Sequence, residues 1–312
     1  MANVKKDQEA SKIGIILVNW NGLTHTKKCL ESLSLTDGPA FDIVVVDNGS
    51  GKQDLEFLRS REEVTLIENG ENLGFTGGNN VGIRYLVEHH YDIGILLNND
   101  TTVEPDFLPP LVSALKEGST GAVQPIIMSM QAPEQIWSAG GRFQKALSWP
   151  KTIGLQMGAS DFDGPLECDW LTGCCLAFRM ETIERVGFLD DDYFALCEDV
   201  DWSLRAGYLG YRHWMIPSSK IYHYQGATNQ TDRKHQEGVR SPFRQYLHIR
   251  NHLYLLRKYT PFLSAPLAYA YHCSRVFTFL TYYALRGRWK KFRNTLFGVV
   301  DGFGKFGPIR RF

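Results

Sequence analysis

The sequence predicts an α/β fold: a mostly parallel sheet flanked by helices, followed by a C-terminal helical segment that associates with a membrane. Three observations carry this. Short apolar runs recur at Ile13–Asn19, Asp42–Asp47, Val64–Glu68 and Ile93–Asn98, as strands buried on both faces require. Helical patterns separate them, and repeated strand–helix–strand units favour a parallel sheet covered by helices. Residues 241–312 are aromatic and basic, with helical periodicity.

Taken in order, the first run is followed by a helix over residues 24 to 33, and the third by a helix over 78 to 89. After the fourth run, residues 105 to 116 read as a helix with Pro105 in its first turn. Residues 126–170 are rich in Gly, Pro, Ser and Trp and read as long loops. Regular structure is expected again from Leu171 to Tyr224, and the polar stretch 228–242 reads as a mobile connection. From Phe243 the pattern is helical, with Tyr246, Ile249, Leu253 and Leu256 spaced by 3 and 4. The chain thus divides into residues 1–125, 126–240 and 241–312.

The 312 residues can bury a substantial core, and 43% hydrophobic with 22% charged content excludes a disordered or fibrous chain. A net charge of zero conceals an asymmetry. Of 34 basic and 34 acidic side chains, residues 241–312 carry 13 and one, leaving 21 and 33 in the first 240. A basic, aromatic tail on an acidic body points to an anionic surface. Its cations stand among Phe, Tyr and Leu, so a phospholipid headgroup layer is expected and no nucleic acid. Residues 260 to 285 are apolar, but Pro261, Pro266, His272 and Arg275 interrupt them. An interfacial helix is therefore favoured over a span; a helical lid packed on the body is the plain alternative. The six cysteines form no Cys-x-x-Cys pair and read as reduced thiols. With no apolar signal segment in residues 1–12, a cytoplasmic location is expected, peripheral at the inner face of the plasma membrane.

Five segments can carry chemistry. Asn98-Asn99-Asp100 ends a strand, where parallel sheets bind ligands, and a carboxylate there can hold a hard cation beside a diphosphate; a simple turn is the alternative. Asp47-Asn48-Gly49-Ser50 offers a carboxylate to the N–H of a pyrimidine ring, or is a strand–loop turn. The glycine-rich run 71–82 enters a helix and suits phosphate, but is neither a dinucleotide fingerprint nor a P-loop. Asp190, Asp191, Asp192, Glu198, Asp199 and Asp201 crowd one stretch, and one of them, packed near apolar groups, can serve as a general base. Solvated acids in a first helical turn are the alternative. His223, in the run 221–228, depends on what it meets in space.

Together and in order, these segments resemble glycosyltransferase family 2, in its bacterial rhamnosyltransferase and galactofuranosyltransferase branch, over about residues 13 to 228. The resemblance implies a GT-A, Rossmann-like fold. Residues 1–125 would be the nucleotide-sugar-binding half, 126–240 the acceptor-binding and catalytic half, and 241–312 an amphipathic helical region. It implies base contacts from Val18 and Trp20, pyrimidine reading by Asp47, and donor contacts from Asn72, Gly74 and Asn79. Asn98-Asn99-Asp100 matches the Asp-x-Asp motif, so Asp100 would hold Mn2+ or Mg2+, with His223 completing the metal shell. Asn98 replaces the motif's first acid, which makes metal affinity lean on the donor's diphosphate. Glu198 and Asp199 match the acceptor-side acidic pair, with Asp199 the base, and Trp170 and Gly173 match the strand lining the acceptor. The implied reaction is an inverting transfer from a dTDP- or UDP-linked sugar to a saccharide or lipid-linked saccharide, rhamnose first and galactofuranose second. An anionic membrane surface would meet residues 241–312, and a homo-oligomer is left open. A non-catalytic sugar-binding protein and a two-carboxylate hydrolase are the competing classes.

Overall fold

The apolar runs form strands because their branched side chains fill both faces of a sheet. The computed structural model describes residues 11–224, 241–304 and 309–310. Strands β1 (Ile13–Asn19), β2 (Asp42–Asp47), β3 (Val64–Glu68) and β4 (Ile93–Asn98) are parallel, in the order β4-β1-β2-β3. Helices α1 (Leu23–Leu33), α2 (Lys52–Arg59) and α3 (Gly74–Glu88) connect them. Side chains alternate with the period of two that a strand imposes. Ile13, Ile15 and Leu17 join one core cluster with Leu30, Leu33 and Leu111, while Ile16, Val44 and Val46 join the other with Ile83 and Leu86. A Cβ on Gly82 would stand 2.5 Å from the Ile16 side chain, so the missing side chain lets α3 lie close on β1.

After β4 come the short β5 (Thr101–Val103) and helix α4 (Leu108–Ala114). The helix starts later than the expected 105 because Pro109, not Pro105, occupies its first turn; a proline there gives up only an N–H that would be unpaired anyway. The stretch 126–170 is not a set of loops. It completes β6 (Thr120–Ser129) and forms β7 (Ala132–Ser138), β8 (Gly141–Gln144), β9 (Trp149–Thr152) and β10 (Leu166–Cys168). Prolines and glycines suggest loops there, but β8 and β9 form a two-stranded ribbon and β7 pairs only with β6, positions where a missing N–H is tolerated.

Strand β11 (Cys175–Arg179) pairs antiparallel with both β4 and β6 and stitches the halves together. Helices α5 (Met180–Val186) and α6 (Glu198–Tyr208) follow, then β12 (Arg212–His223), parallel to β6. The sheet order is β10-β12-β6-β11-β4-β1-β2-β3, with β5 paired to β12. The sheet is thus parallel over β1–β4 and mixed beyond, and β6 runs through the expected boundary at 125.

Most of the stretch read as a mobile connection lies outside the described residues. Helix α7 (Pro242–Tyr259) begins where the Ser241 hydroxyl accepts the Arg244 N–H at 3.1 Å. Its Tyr246, Ile249, Leu253 and Leu256 are buried, as their spacing predicts. Helices α8 (Ala265–Leu285) and α9 (Trp289–Phe303) complete the chain; Gly298 and Gly302 bring α9 directly against α7. Among the described residues no helix is long and apolar enough to cross a membrane.

Candidate active site

The carboxyl ends of β1, β2 and β4 meet around Asn19, which is fully buried. Its amide donates to the Asp47 carboxylate (3.0 Å), the Ser50 hydroxyl (2.9 Å) and the Asp54 carboxylate (3.1 Å). Its oxygen accepts the Thr26 hydroxyl at 2.7 Å, and Asn99 donates to that hydroxyl at 2.8 Å. Asp47 is 1% exposed, and its second oxygen accepts the Ser50 N–H at 2.9 Å. Asp47 shapes the loop with one bond on each oxygen, and a lone pair remains on each for a further N–H. Val18 lies against the Gly78 position. Trp20, 47% exposed beside this floor, offers an open indole face.

The glycine-rich run is helical from Gly74, four residues earlier than expected. Asn72 starts the helix by accepting the Gly74 N–H at 2.8 Å. Gly74 has φ 76°, and a Cβ there would meet the Phe194 carbonyl at 2.4 Å, so the position excludes a side chain on two counts. Asn79 is buried and donates back to the Phe75 carbonyl at 2.9 Å. Asn72 and Asn79 therefore shape the start of α3.

On the other side of the crevice, Asn98 is tied through its backbone N–H to the Cys174 carbonyl at 2.8 Å. One Asp100 oxygen stands 3.3 Å from Nε2 of His223, which is brought there because β12 pairs His223 with Thr101. The imidazole packs on Trp137, centroids 4.3 Å apart, and its buried Nδ1 has no hydrogen-bond partner among the described residues. Two neighbouring ligands of an octahedral cation, each at about 2.1 Å, stand about 3 Å apart, so this pair fits a shared Mg2+ or Mn2+. No group of three or more such ligands occurs among the described residues.

Glu198 and Asp199 open α6. Asp199 accepts the Gly173 N–H at 2.9 Å and the Val200 N–H at 2.8 Å. It keeps part of its surface accessible although protein surrounds it; this burial raises its pKa against the lowering effect of those N–H bonds. Glu198 is 4% exposed and one of its oxygens has no partner among the described residues. Burial first, then the Asp199 charge, push its carboxyl well above the usual range. Of the pair, Glu198 is thus the one that holds a proton more readily, and the two backbone N–H bonds favour charge on Asp199. The buried Cys174 thiol is pushed up by desolvation first and then by charge from both Asp100 and Asp199. Asp199 is bonded to the Gly173 N–H, and the neighbouring Cys174 carbonyl to the Asn98 N–H two residues before Asp100, so both groups approach the stretch that leads into β11.

The remaining acids of the cluster hold the loop in place. Asp201 is fully buried and binds Lys258 at 2.6 Å, Arg205 at 2.9 Å and the Tyr259 hydroxyl at 2.7 Å. Asp190 accepts from Tyr254, and Asp191 from Asn80. Phe194, Leu196 and Cys197 all have φ between 63° and 76°, a left-handed conformation that is unfavourable outside glycine. Asn251 of α7 holds them, its amide donating to the carbonyls of Tyr193 (3.1 Å), Ala195 (2.8 Å) and Leu196 (2.7 Å). Arg250 adds a bond to the Asp192 carbonyl at 2.7 Å. Sequence reasoning missed Asn251, because a single polar residue on an apolar helical stripe carries no signal without its partners. It also read residues 241–312 as meeting an anionic surface; of α7's cations, Arg250 is buried on the Asp192 carbonyl, while Arg257 and Lys258 stay exposed and reach the Gly302 carbonyl and Asp201. Trp170 is buried against Gly141 and donates to the Arg142 carbonyl, so it supports the β8 ribbon; Gly173 reaches the site through its N–H.

The family model described as glycosyl transferase family 2 matches residues 14–187, more than half of the chain. Glu198, Asp199 and His223 lie beyond the matched stretch. An N-acetylglucosaminyl-diphospho-decaprenol L-rhamnosyltransferase of Mycobacterium tuberculosis is 27% identical over 239 residues, 70% of this chain and 78% of that protein. The dTDP-rhamnosyl transferase RfbF of Shigella flexneri is 26% identical over 69% of this chain and 71% of its own. Among solved structures, GalNAc-T7 with UDP, GalNAc and Mn2+ superposes with a TM-score of 0.60 at 16% identity, covering 80% of this chain and 48% of that one. The mannosyltransferase PcManGT of Pyrobaculum calidifontis, in complex with GDP-Man and Mn2+, gives 0.56 at 15% identity, covering 95% and 88%. These two show a shared GT-A fold. With the family model's match, they make this chain a glycosyltransferase, a member of glycosyltransferase family 2.

Proposed function

We propose that the protein transfers a rhamnose-like deoxyhexose, with inversion, from a dTDP carrier to a hydroxyl of a saccharide or lipid-linked saccharide during cell-surface polysaccharide synthesis. The observation that carries this reading is the stretch before β11: Asp199 accepts the Gly173 N–H, and the next residue, Cys174, accepts the N–H of Asn98, two residues before the Asp100 that meets His223. Donor and acceptor follow the relatives, whose names specify rhamnosyl transfer and, in one case, a diphospho-decaprenol acceptor.

A sugar hydroxyl is a weak nucleophile near neutral pH. Asp199, held by two backbone N–H groups, takes its proton as the oxygen attacks the anomeric carbon. The nucleoside diphosphate leaves from the opposite face, so one displacement inverts the centre. A divalent cation on Asp100 and His223, when bound, neutralises charge on the diphosphate. Neutral Glu198 leaves Asp199 as the ionised member of the pair, and Trp20 offers a stacking face for the base.

The test uses dTDP-rhamnose, a set of UDP-sugars, and Mn2+ or Mg2+, with anomeric configuration read by NMR. Asp199→Asn should lower turnover by about 10²–10⁴-fold with donor affinity nearly unchanged. Near-normal turnover in that variant removes Asp199 as the base. Turnover confined to UDP-sugars overturns the donor.

A further inference from the structure

Helix α8 is apolar, yet of its 21 residues only Ala268, His272 and Tyr283 are buried. Leu267, Tyr269, Phe277, Tyr282 and Leu285 are exposed along a length of about 31 Å, with the small uncharged Ser274, Thr278 and Thr281 among them. In the tight turn before it, Phe262 is 92% and Leu263 93% exposed. The one charged side chain of α8, Arg275, folds inward, 3.8 Å from the Trp149 ring centroid and 3.2 Å from His248. The outward face therefore carries no charge. A soluble surface rarely leaves so long an apolar strip without a partner.

Cations gather at the end of this strip. Arg286, Lys290 and Arg293 are exposed, as is Trp289; Arg288 lies over Tyr282. Asp301, the single acid of residues 241–312, is held by Arg310 and the Tyr246 hydroxyl. Among the described residues no acid forms an ion pair with Arg286, Arg288, Lys290 or Arg293.

We propose that α8, the turn before it and the first turn of α9 form a docking surface for a lipid bilayer with anionic headgroups. The apolar strip enters the acyl boundary, Trp289 sits at headgroup level, and the cations meet phosphates. A second copy fits less well, because a twofold contact through this face would oppose two sets of cations. An apolar cleft of about 170 Å³ beside the strip, walled by Val276, Phe277, Leu280, Val299 and Phe303, gives room for the end of a hydrocarbon chain. The inference stands on this surface alone and is independent of which sugar or acceptor the enzyme uses.

The test is flotation of the full chain with phosphatidylcholine vesicles, with and without phosphatidylglycerol, beside light scattering in solution. The unchanged chain should float with the anionic vesicles. Lys290→Ala with Arg293→Ala should weaken that binding roughly 25-fold and leave the weaker binding to neutral vesicles unchanged. Phe262→Asp with Leu263→Asp should weaken binding to both by roughly 100-fold. Both side chains are in solvent, so thermal unfolding of that variant should match the unchanged chain. Failure of the unchanged chain to float, or flotation indifferent to both pairs of substitutions, overturns the proposal. So does a dimer in solution that Phe262→Asp with Leu263→Asp dissociates without any effect on flotation.

Discussion

Asn251→Ala should separate the architecture of the base loop from its chemistry. The amide has two N–H groups and spreads them over three carbonyls, of Tyr193, Ala195 and Leu196, while its oxygen accepts Arg250 at 2.9 Å. Asn251 is fully buried, so water does not replace these bonds easily. Leaving two buried acceptors and one charged donor short of a partner costs about 1–3 kcal/mol each before relaxation. Relaxation is available, because three non-glycine residues in left-handed conformations gain by letting go. The net loss is then about 2–4 kcal/mol, inside the usual 5–15 kcal/mol of a folded protein. The chain should fold, melt several degrees lower, and hold Asp199 less firmly. A displacement of about 1 Å at a reacting group costs on the order of 100-fold in rate. We expect kcat to fall by that order with donor KM nearly unchanged. The acidic limb of the kcat profile should also move down toward an ordinary carboxylate, because a loosened loop lets water reach Asp199. Asn251→Asp, which removes the donors and adds a charge, should do no better. A lower Tm with kcat and the pH limb untouched would refute the reasoning and leave Asn251 a stabilising residue only.

Three further outcomes follow from the same geometry. Asp100→Ala should abolish the cation-dependent part of donor binding in calorimetry; equal donor affinity with and without Mn2+ in the unchanged chain would count against a cation at this pair. Glu198→Gln should flatten the pH dependence of stability. The raised folded pKa means the native state keeps a proton that the unfolded chain loses, so stability falls as pH rises from the unfolded value of about 4.3 toward the folded one, by up to about 1.4 kcal/mol per pH unit. Parallel urea-unfolding curves for the two proteins across that window would contradict a neutral Glu198. Trp20→Ala should weaken nucleoside diphosphate binding by about 1–3 kcal/mol, the usual worth of a base–aromatic stack, and an unchanged dissociation constant for dTDP would show that the indole does not meet the base.

The parallel half was legible because each strand is a short, mostly apolar run ending in a polar residue, so β1 to β4 could be bounded to the residue. The second half was less so. β7 and β9 carry a proline each, and β8 and β9 have four residues each, too few for periodicity to outweigh turn signals. Among the residues proposed for the site, Asp100, Asp199 and His223 stand out by type and by position at an element's end. Asp47 shows what sequence does not resolve: a carboxylate at a strand end reads the same whether or not it also ties the loop, as Asp47 does through Asn19 and Ser50. Trp170 makes the same point for aromatics, since a tryptophan beside a functional strand looks identical whether it lines the crevice or packs on Gly141.

The acidic cluster and the basic tail, read separately in the sequence, are partly one structure. Asp190 and Asp201 are met by Lys258, Tyr254 and Tyr259 of α7, and the loop between them is held by Arg250 and Asn251 of the same helix. The residue read as the base therefore owes its position to a helix beyond the matched family stretch, and α9 is packed on that helix through Gly298 and Gly302. If α8 and α9 rest on a bilayer, a continuous packed path runs from the lipid surface through α7 to the loop that leads into Asp199 at the start of α6. Such a path couples the two only if docking changes the equilibrium of the loop. The strain at Phe194, Leu196 and Cys197 makes that loop the element with an alternative conformation to adopt. Turnover of a soluble acceptor, measured with and without anionic vesicles, decides the matter. A rise in kcat that Asn251→Ala abolishes, while the variant still floats, requires the path through α7; equal kcat in both conditions limits the membrane to bringing enzyme and acceptor together.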